Sequence, residues 1–344
     1  KRGHKPIMKV LIKGYDTCCQ NQSGGVQIRI RNFYEALKDN GCDVSYFNSF
    51  ESDLREYDIL HVFKMDIESL ALIRCAKTMG KKVVLSSIVN CINKRKIDFY
   101  RAINRLPLAT TYRGLFEIVK LCDLIIVESH QERTFLIRHF GARGKEICII
   151  ANGAEDYTTT DTSIFDKIGI HGSYVLQVGR FDKNKNQLNV IRAMKQSCIH
   201  TVFIGGADIN DTRYYDKCVR EASGNYNFHF LGWIDNKSSL LKSAYSNAKV
   251  LVAPSYNETF GLTIIEGAIA GANLVLSKTL PITHDEHFRN CIICDPGNPD
   301  DIRKCIMMAI EAKQNQTFRR RIKEDFSWSS VAKQHIKKYN ELLY

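Results

Sequence analysis

Two carboxylates eight positions apart, Glu258 and Glu266, are the residues of this chain best placed for chemistry. The apolar run Val250–Val252 reads as a buried strand, Pro254-Ser255-Tyr256-Asn257 breaks it, and a helical period begins near Leu262. Glu258 then lies in the loop ahead of that helix and Glu266 about one turn inside it. Such a loop can fold Glu258 back over the helix N-terminus, where amide N–H groups and the positive end of the helix dipole also point. Carboxylates suit sugar hydroxyls and a helix N-terminus suits phosphate, so the pattern points to a nucleotide-sugar site. The plainer alternative is an ordinary strand-to-helix loop with a capping glutamate.

A second cluster lies about seventy residues upstream. Val175 to Val178 reads as an apolar strand running into Gly179-Arg180, and Lys185 follows five positions after the arginine, where the next helix should begin. Leu188, Ile191 and Met194 carry the apolar face of that helix. Arg180 would grip a diphosphate through its planar fork and Lys185 as a point charge. Alone, such a Gly-Arg and Lys pattern is more often a solvated loop. Nearer the start, Met8–Lys13 alternates like a first strand, and a polar loop leads to Gly24-Gly25-Val26, which opens a helix with Ile30, Phe33 and Leu37 on one face. Glycines there let the backbone approach a phosphate closely.

Pro254-Ser255, then Glu258, Phe260-Gly261-Leu262 and Glu266, together resemble the signature of family 4 retaining glycosyltransferases of the GT-B fold. The resemblance implies that Glu258 contacts the transferred sugar and that Glu266 holds the ribose of the nucleotide. It implies that Arg180 and Lys185 neutralise the leaving diphosphate, and that the Gly24-Gly25 loop closes over donor and acceptor. The catalytic set so implied is Glu258, Arg180 and Lys185. Gly24, Gly25, Gly179, Arg180, Lys185, Phe260, Gly261, Leu262 and Glu266 line the donor site. Phe326-Ser327-Trp328 resembles the element that opens the last helix of many members, which packs back on the first domain, so Trp328 is expected to be structural. One departure stands out: where many members carry a histidine after the fourth strand, this chain has Ser86 and Ser87. His61 matches another common position, although a satisfied histidine at a strand end accounts for it as well. The departure touches sugar choice and the acceptor side.

A chain of 344 residues suits two α/β units better than one core. In the first half, Val83–Leu85, Leu124–Val127 and Ile147–Ile150 read as strands among helical patterns. In the second, Tyr174–Val178, Thr201–Ile204, Asn227–Phe230, Val250–Val252, Asn273–Leu276 and Cys291–Ile293 do. That alternation favours parallel sheets with a ligand cleft at the strands' carboxyl ends. The polar stretch Tyr157–Ser163 reads as the linker. The expected fold is therefore α/β of GT-B type, with two Rossmann-like parallel-sheet domains facing a central cleft: residues 1–155 on the acceptor side, 165–325 for the nucleotide sugar, and a helix over 326–344 crossing back. The Gly-x-Gly-x-x-Gly of nicotinamide dehydrogenases is missing from the first strand-to-helix turn, which disfavours that class.

Twelve cysteines lie mostly singly in apolar segments and form no disulfide framework. Cys291 and Cys294 have a metal-ligand spacing without a second pair, so no metal site is expected. No signal peptide and no run long enough to span a bilayer is visible, and cytoplasmic residence is the default. Met8 is a plausible start, with Lys1–Ile7 preceding it. Of the net charge of +12, residues 1–150 hold +9. Within 90–116, Lys94, Arg95, Lys96, Arg101, Arg105 and Arg113 interleave with Phe99, Tyr100, Ile103 and other apolar residues. Such a segment suits an anionic membrane surface, such as the inner membrane face, and equally suits a solvated helix with a buried side. No helix-turn-helix, zinc finger or RNA-binding motif accompanies the basicity, so nucleic acid is not an expected partner. The function expected is a retaining, metal-independent glycosyltransferase using a nucleoside-diphosphate sugar and a glycan or lipid-linked hydroxyl acceptor, in cell-surface polysaccharide or glycolipid synthesis. No cofactor is expected, the nucleotide sugar being a substrate. The alternatives are a GT-B nucleotide-sugar epimerase and a non-catalytic nucleotide or nucleic-acid binder.

Overall fold

The computed structural model describes residues 8–16, 25–88, 94–103, 110–169, 171–208, 211–258 and 261–344. The chain forms two compact units, one ending at Gly153 and completed by Trp328–Tyr344, the other Ala154–Ser327.

Among the described residues, the first unit is built on a six-stranded parallel sheet in the order β2-β1-β3-β4-β5-β6. Its strands are β1 (Lys9–Lys13), β2 (Asp43–Tyr46), β3 (Ile59–Phe63), β4 (Lys82–Ser86), β5 (Leu124–Val127) and β6 (Glu146–Ile149). Helices cover both faces, which is why the central strands read as continuous apolar runs. Leu11, Leu60, Val62, Val83, Leu85 and Ile125 point to one face. Val10, Ile12, Ile59, Phe63, Val84 and Ile126 point to the other, where they meet Ile30, Phe33 and Leu37 of the helix Gly25–Asp39. Val331, Ala332 and Tyr339 of the final helix, Trp328–Leu343, complete that second layer. Trp328 lies against Gly153, where a Cβ would come within 2.5 Å of the indole.

The second unit repeats the plan in the order β12-β11-β10-β7-β8-β9. Its strands are β7 (Tyr174–Val178), β8 (His200–Ile204), β9 (Phe228–Phe230), β10 (Val250–Ala253), β11 (Asn273–Ser277) and β12 (Ile292–Cys294). The chain enters at β7, steps outward to β9, then returns to the other side of β7 to begin β10. The topological switch point therefore falls between β7 and β10, the place where open α/β sheets take their ligands.

Several expectations change. β2 carries a half-polar edge pattern too short to stand out in the sequence. His61 is not at a strand end: it occupies the middle of β3 and is fully buried. The stretch read as a linker belongs to the second unit. Tyr157 is 3% exposed and stacks on Tyr245, Asp161 Oδ1 caps the start of the helix Ser163–Ile168, and Ser243 and Asn247 donate to the Asp161 carbonyl. Polar composition there serves fixed hydrogen bonds rather than exposure. In the basic segment, helices run over Lys94–Ile103 and Thr111–Leu121, with Arg105 outside the described residues. Ile97 is buried, Tyr100 stacks on Tyr112 and Arg101 donates to the Arg138 carbonyl, whereas Phe99 is exposed.

Candidate functional site

The loops leaving β7 and β10 are stitched together. Asn184 Nδ2 donates to the Asn257 carbonyl at 2.8 Å and Tyr256 N–H to the Asn184 carbonyl at 2.9 Å. Asn186 Nδ2 bridges the Pro254 and Pro296 carbonyls at 3.1 and 2.7 Å. Asn186 takes the left-handed conformation (φ 62°) that precedes the helix Gln187–Met194, and Asn tolerates that region better than most residues. On this frame Lys185 Nζ forms an ion pair with Glu258 Oε1 across the switch point, and Ser255 Oγ donates to the same oxygen at 3.0 Å. Both partners keep only about a fifth of their side-chain surface exposed.

Arg180 is half exposed, and its Nε meets Asp182 at 3.2 Å and Asp208 at 3.3 Å. Asp182 Oδ1 also accepts the Lys185 backbone N–H at 2.8 Å, so one aspartate holds the Arg180 side chain and the Lys185 backbone. Gly179 takes φ 151°, a conformation that disfavours other residues, and the Lys185 side chain packs beside it. Gly205, at the exit of β8, leaves room for the Gly179 carbonyl, which a Cβ would approach to 2.2 Å.

Glu266 lies in the helix Leu262–Ala270, which Gly261 opens at φ 87°. Its Oε2 accepts the Tyr245 hydroxyl at 2.7 Å. Burial pushes its carboxyl up to about 7, against the lowering effect of Tyr245, and the nearby charge of Glu155 adds to the rise. Glu155 is itself raised by burial. Glu266 thus has a surround of its own, separate from the Lys185–Glu258 pair. Phe260 and Gly24 lie outside the described residues, and Gly25 opens the helix Gly25–Asp39 of the other unit.

In the first unit, Ser86 and Ser87 serve buried polar contacts. Ser86 Oγ meets His61 Nε2 at 2.9 Å, and Tyr339 Oη lies 2.6 Å from His61 Nδ1. Ser87 donates to Glu132 Oε1 at 2.6 Å, while Glu128 N–H donates to Glu132 Oε2 and its carboxylate pairs with buried Arg29. Burial lowers that guanidinium to about 10. Asp208 and Tyr245 escaped sequence reasoning because their partners, Arg180 and Glu266, lie in other segments. Asp182 and Ser255 bond to Arg180 and Glu258 within their own loops, contacts that loop composition does not mark. Burial pushes the Cys291 and Cys294 thiols up to about 12.

Residues 162–325 match the family of glycosyl transferases group 1. An uncharacterized glycosyltransferase of Methanocaldococcus jannaschii is 27% identical over 262 residues, which cover 70% of this chain and 64% of the relative. A D-inositol 3-phosphate glycosyltransferase of Corynebacterium aurimucosum is 28% identical over 185 residues, 48% of this chain and 44% of its own length. The chain thus spans about half to two thirds of these curated relatives. Among solved structures, sucrose-phosphate synthase from Thermosynechococcus elongatus superposes with a TM-score of 0.75 at 18% identity, covering 97% of this chain and 99% of its own. HepE of Anabaena, solved in complex with UDP and glucose, does so at 0.69 and 16%, covering 97% and 100%. Nearly all of the second unit thus matches the group 1 glycosyl transferase family, and the parallel sheets and their strand order go with a chain of GT-B fold.

Proposed function

We propose that this chain is a retaining glycosyltransferase that moves a sugar from a nucleoside-diphosphate donor to a hydroxyl acceptor. The observation that carries the reading is the meeting of Lys185 and Glu258 at the switch point of the second sheet, with Arg180 on the same loop as the lysine. The bond from the anomeric carbon to the diphosphate oxygen breaks as the acceptor oxygen bonds to the same face, and the acceptor proton passes to the departing phosphate. Arg180 and Lys185 stabilise the charge that builds on that phosphate, preorganised electrostatic work that needs no divalent metal. Glu258 releases Lys185 to the diphosphate and turns its carboxylate to the sugar hydroxyls. Glu266 accepts from the ribose hydroxyls. The acceptor is a glycan or a lipid-linked hydroxyl, the pathway cell-surface polysaccharide or glycolipid synthesis, and the place of work the cytoplasmic membrane face. The relative named as a D-inositol 3-phosphate glycosyltransferase supports a hydroxyl acceptor.

UDP-, GDP- and ADP-sugars are to be screened for thermal stabilisation, since a ligand that binds only the folded state raises its stability. The expected result is a shift with one donor series, release of nucleoside diphosphate with acceptor, an unchanged rate in EDTA, and a product whose anomeric configuration matches the donor by NMR. No shift with any donor and no diphosphate release would sink the reading.

A further inference from the structure

Three neighbouring strands of the second sheet leave by the same device. β7 exits through Gly179-Arg180, β8 through Gly205-Gly206 and β9, after Leu231, through Gly232-Trp233. The first glycine of each pair has positive φ, at 151°, 132° and 67°. The exits interlock: Gly179 N–H donates to the Ile204 carbonyl, Phe181 N–H to Gly206 and Gly205 N–H to Gly232, each at 2.8 Å. The second residues therefore form a row across the carboxyl edge, with a cation, a bare backbone and an indole. The bare position matters. A Cβ on Gly206 would lie 2.2 Å from the Trp233 Nε1 and 2.5 Å from its Cδ1, so only glycine lets the indole settle against that backbone. Even so placed, Trp233 remains 61% exposed, a large aromatic surface left open to solvent in a row with Arg180.

We infer that Trp233 is the stacking platform for the nucleobase of the donor, which rests on the nucleoside-diphosphate reading above. Adjacent strands lie about 4.8 Å apart, so the Arg180 and Trp233 backbones stand about 10 Å apart, with the indole laid back over the Gly206 exit between them. A nucleoside diphosphate with its phosphates on Arg180 and its base on Trp233 has one ribose to span that row. Glu258, assigned to the transferred sugar, leaves β10 on the opposite side of β7, so the indole lies at the nucleoside end rather than the sugar end. The rest of the β9 exit loop agrees. The charge of Asp235 reaches Tyr157, whose neighbour Tyr245 holds Glu266, and that of Lys237 reaches Glu155, which acts on Glu266. The loop that carries the indole is thus linked, through Tyr157 and Glu155, to the surround of the carboxylate assigned to the ribose. An aromatic face accepts any base, so the platform contributes affinity without choosing between uracil, guanine and adenine.

The sequence contains two tryptophans, and Trp328 belongs to the other unit, which makes the test direct. Titrating UDP, GDP and ADP into the full chain should quench tryptophan emission, and Trp233→Phe should abolish that quench while calorimetric affinity stays within about 3-fold. Trp233→Ala should weaken nucleotide binding by about 10-fold or more. It should leave the affinity for inorganic pyrophosphate and the thermal midpoint unchanged. Wild-type nucleotide affinity in Trp233→Ala overturns the inference and leaves the donor reading standing. So does an equal loss for UDP and pyrophosphate, which would make the indole part of the phosphate loop's scaffold. A wild-type chain that binds none of the three nucleotides overturns the donor reading, and the platform with it.

Discussion

Arg180 is claimed by Asp182 and Asp208, and Lys185 by Glu258, so an incoming diphosphate competes with carboxylates already in place. The arrangement keeps both cations extended and poised, at the cost of part of their attraction. Arg180→Ala and Lys185→Ala should each weaken nucleoside-diphosphate binding by about 1.5–3 kcal/mol, the worth of a charge-assisted contact. Calorimetry returning wild-type affinity for both would remove the diphosphate assignment. The two glutamates should fail differently. Glu258→Gln is expected to lower turnover, because its contact with the sugar strengthens as the bond breaks. Glu266→Gln is expected to raise KM and weaken free nucleotide alike, because ribose binding is uniform along the reaction. The reverse split in steady-state kinetics would exchange the roles. Glu266 also gives a pH signature. Its folded pKa of about 7 lies above the usual carboxylate value of 4.5, so between those values the folded state holds a proton that the unfolded chain has released. Stability should therefore fall as pH rises from 4.5 to 7 and level off above. Glu266→Gln should remove that fall, about 3 kcal/mol in all, read as a flatter dependence of the urea midpoint on pH.

At the scale of elements, the glycine exits and the final helix do the positioning. Gly205 stands where a Cβ would press to 2.2 Å on the Gly179 carbonyl, and its φ of 132° is strained for any other residue. Gly205→Ala should cost at least about 2 kcal/mol and move the Arg180 loop, so that donor affinity falls with the melting temperature. A variant with wild-type stability would show that the β8 exit is not fixed by this contact. The final helix reaches the centre of the first sheet through Tyr339, whose hydroxyl meets His61 Nδ1 while Ser86 meets Nε2. A neutral imidazole donates from one nitrogen and accepts at the other, and burial holds the ring neutral by lowering its pKa. Tyr339→Phe leaves that ring nitrogen without its partner and should cost about 1–3 kcal/mol in chemical denaturation, with no effect on nucleotide affinity. The histidine pattern at Ile59–His61 was legible in the sequence, but its place in mid-strand was not, because a buried polar residue breaks the apolar run that marks a strand.

At the scale of the molecule, the charge is unevenly spread, with +9 of +12 in residues 1–150. Among the described residues, no helix is long and apolar enough to cross a membrane. The residues that carry this excess are the ones suited to an anionic surface. Wild-type protein should sediment with anionic vesicles at low salt and release at high salt. The variant with Lys94, Arg95, Lys96 and Arg101 changed to Gln should bind more weakly, at about 1 kcal/mol for each charge near the surface. Equal failure of both proteins to bind would leave a soluble acceptor as the better reading.

Local order in the chain determined a good deal of this protein. Continuous apolar runs such as Leu124–Val127 and Tyr174–Val178, bounded by polar or glycine turns, mark strands wherever both sheet faces are covered. The helical period marks the buried faces of Gly25–Asp39 and Gln187–Met194, and residue type marks Arg180, Lys185, Glu258 and Glu266 as chemically apt. What only the tertiary structure decided is which of these meet. Lys185 reaches Glu258 across 73 residues because β10 returns beside β7, and strand order is not written in any local period. Likewise Glu266 turns to Tyr245, the segment after Ala154 locks into the second unit, and the last helix completes the first. Each of these depends on a contact between distant segments, where burial and hydrogen-bond satisfaction act on the folded chain as a whole.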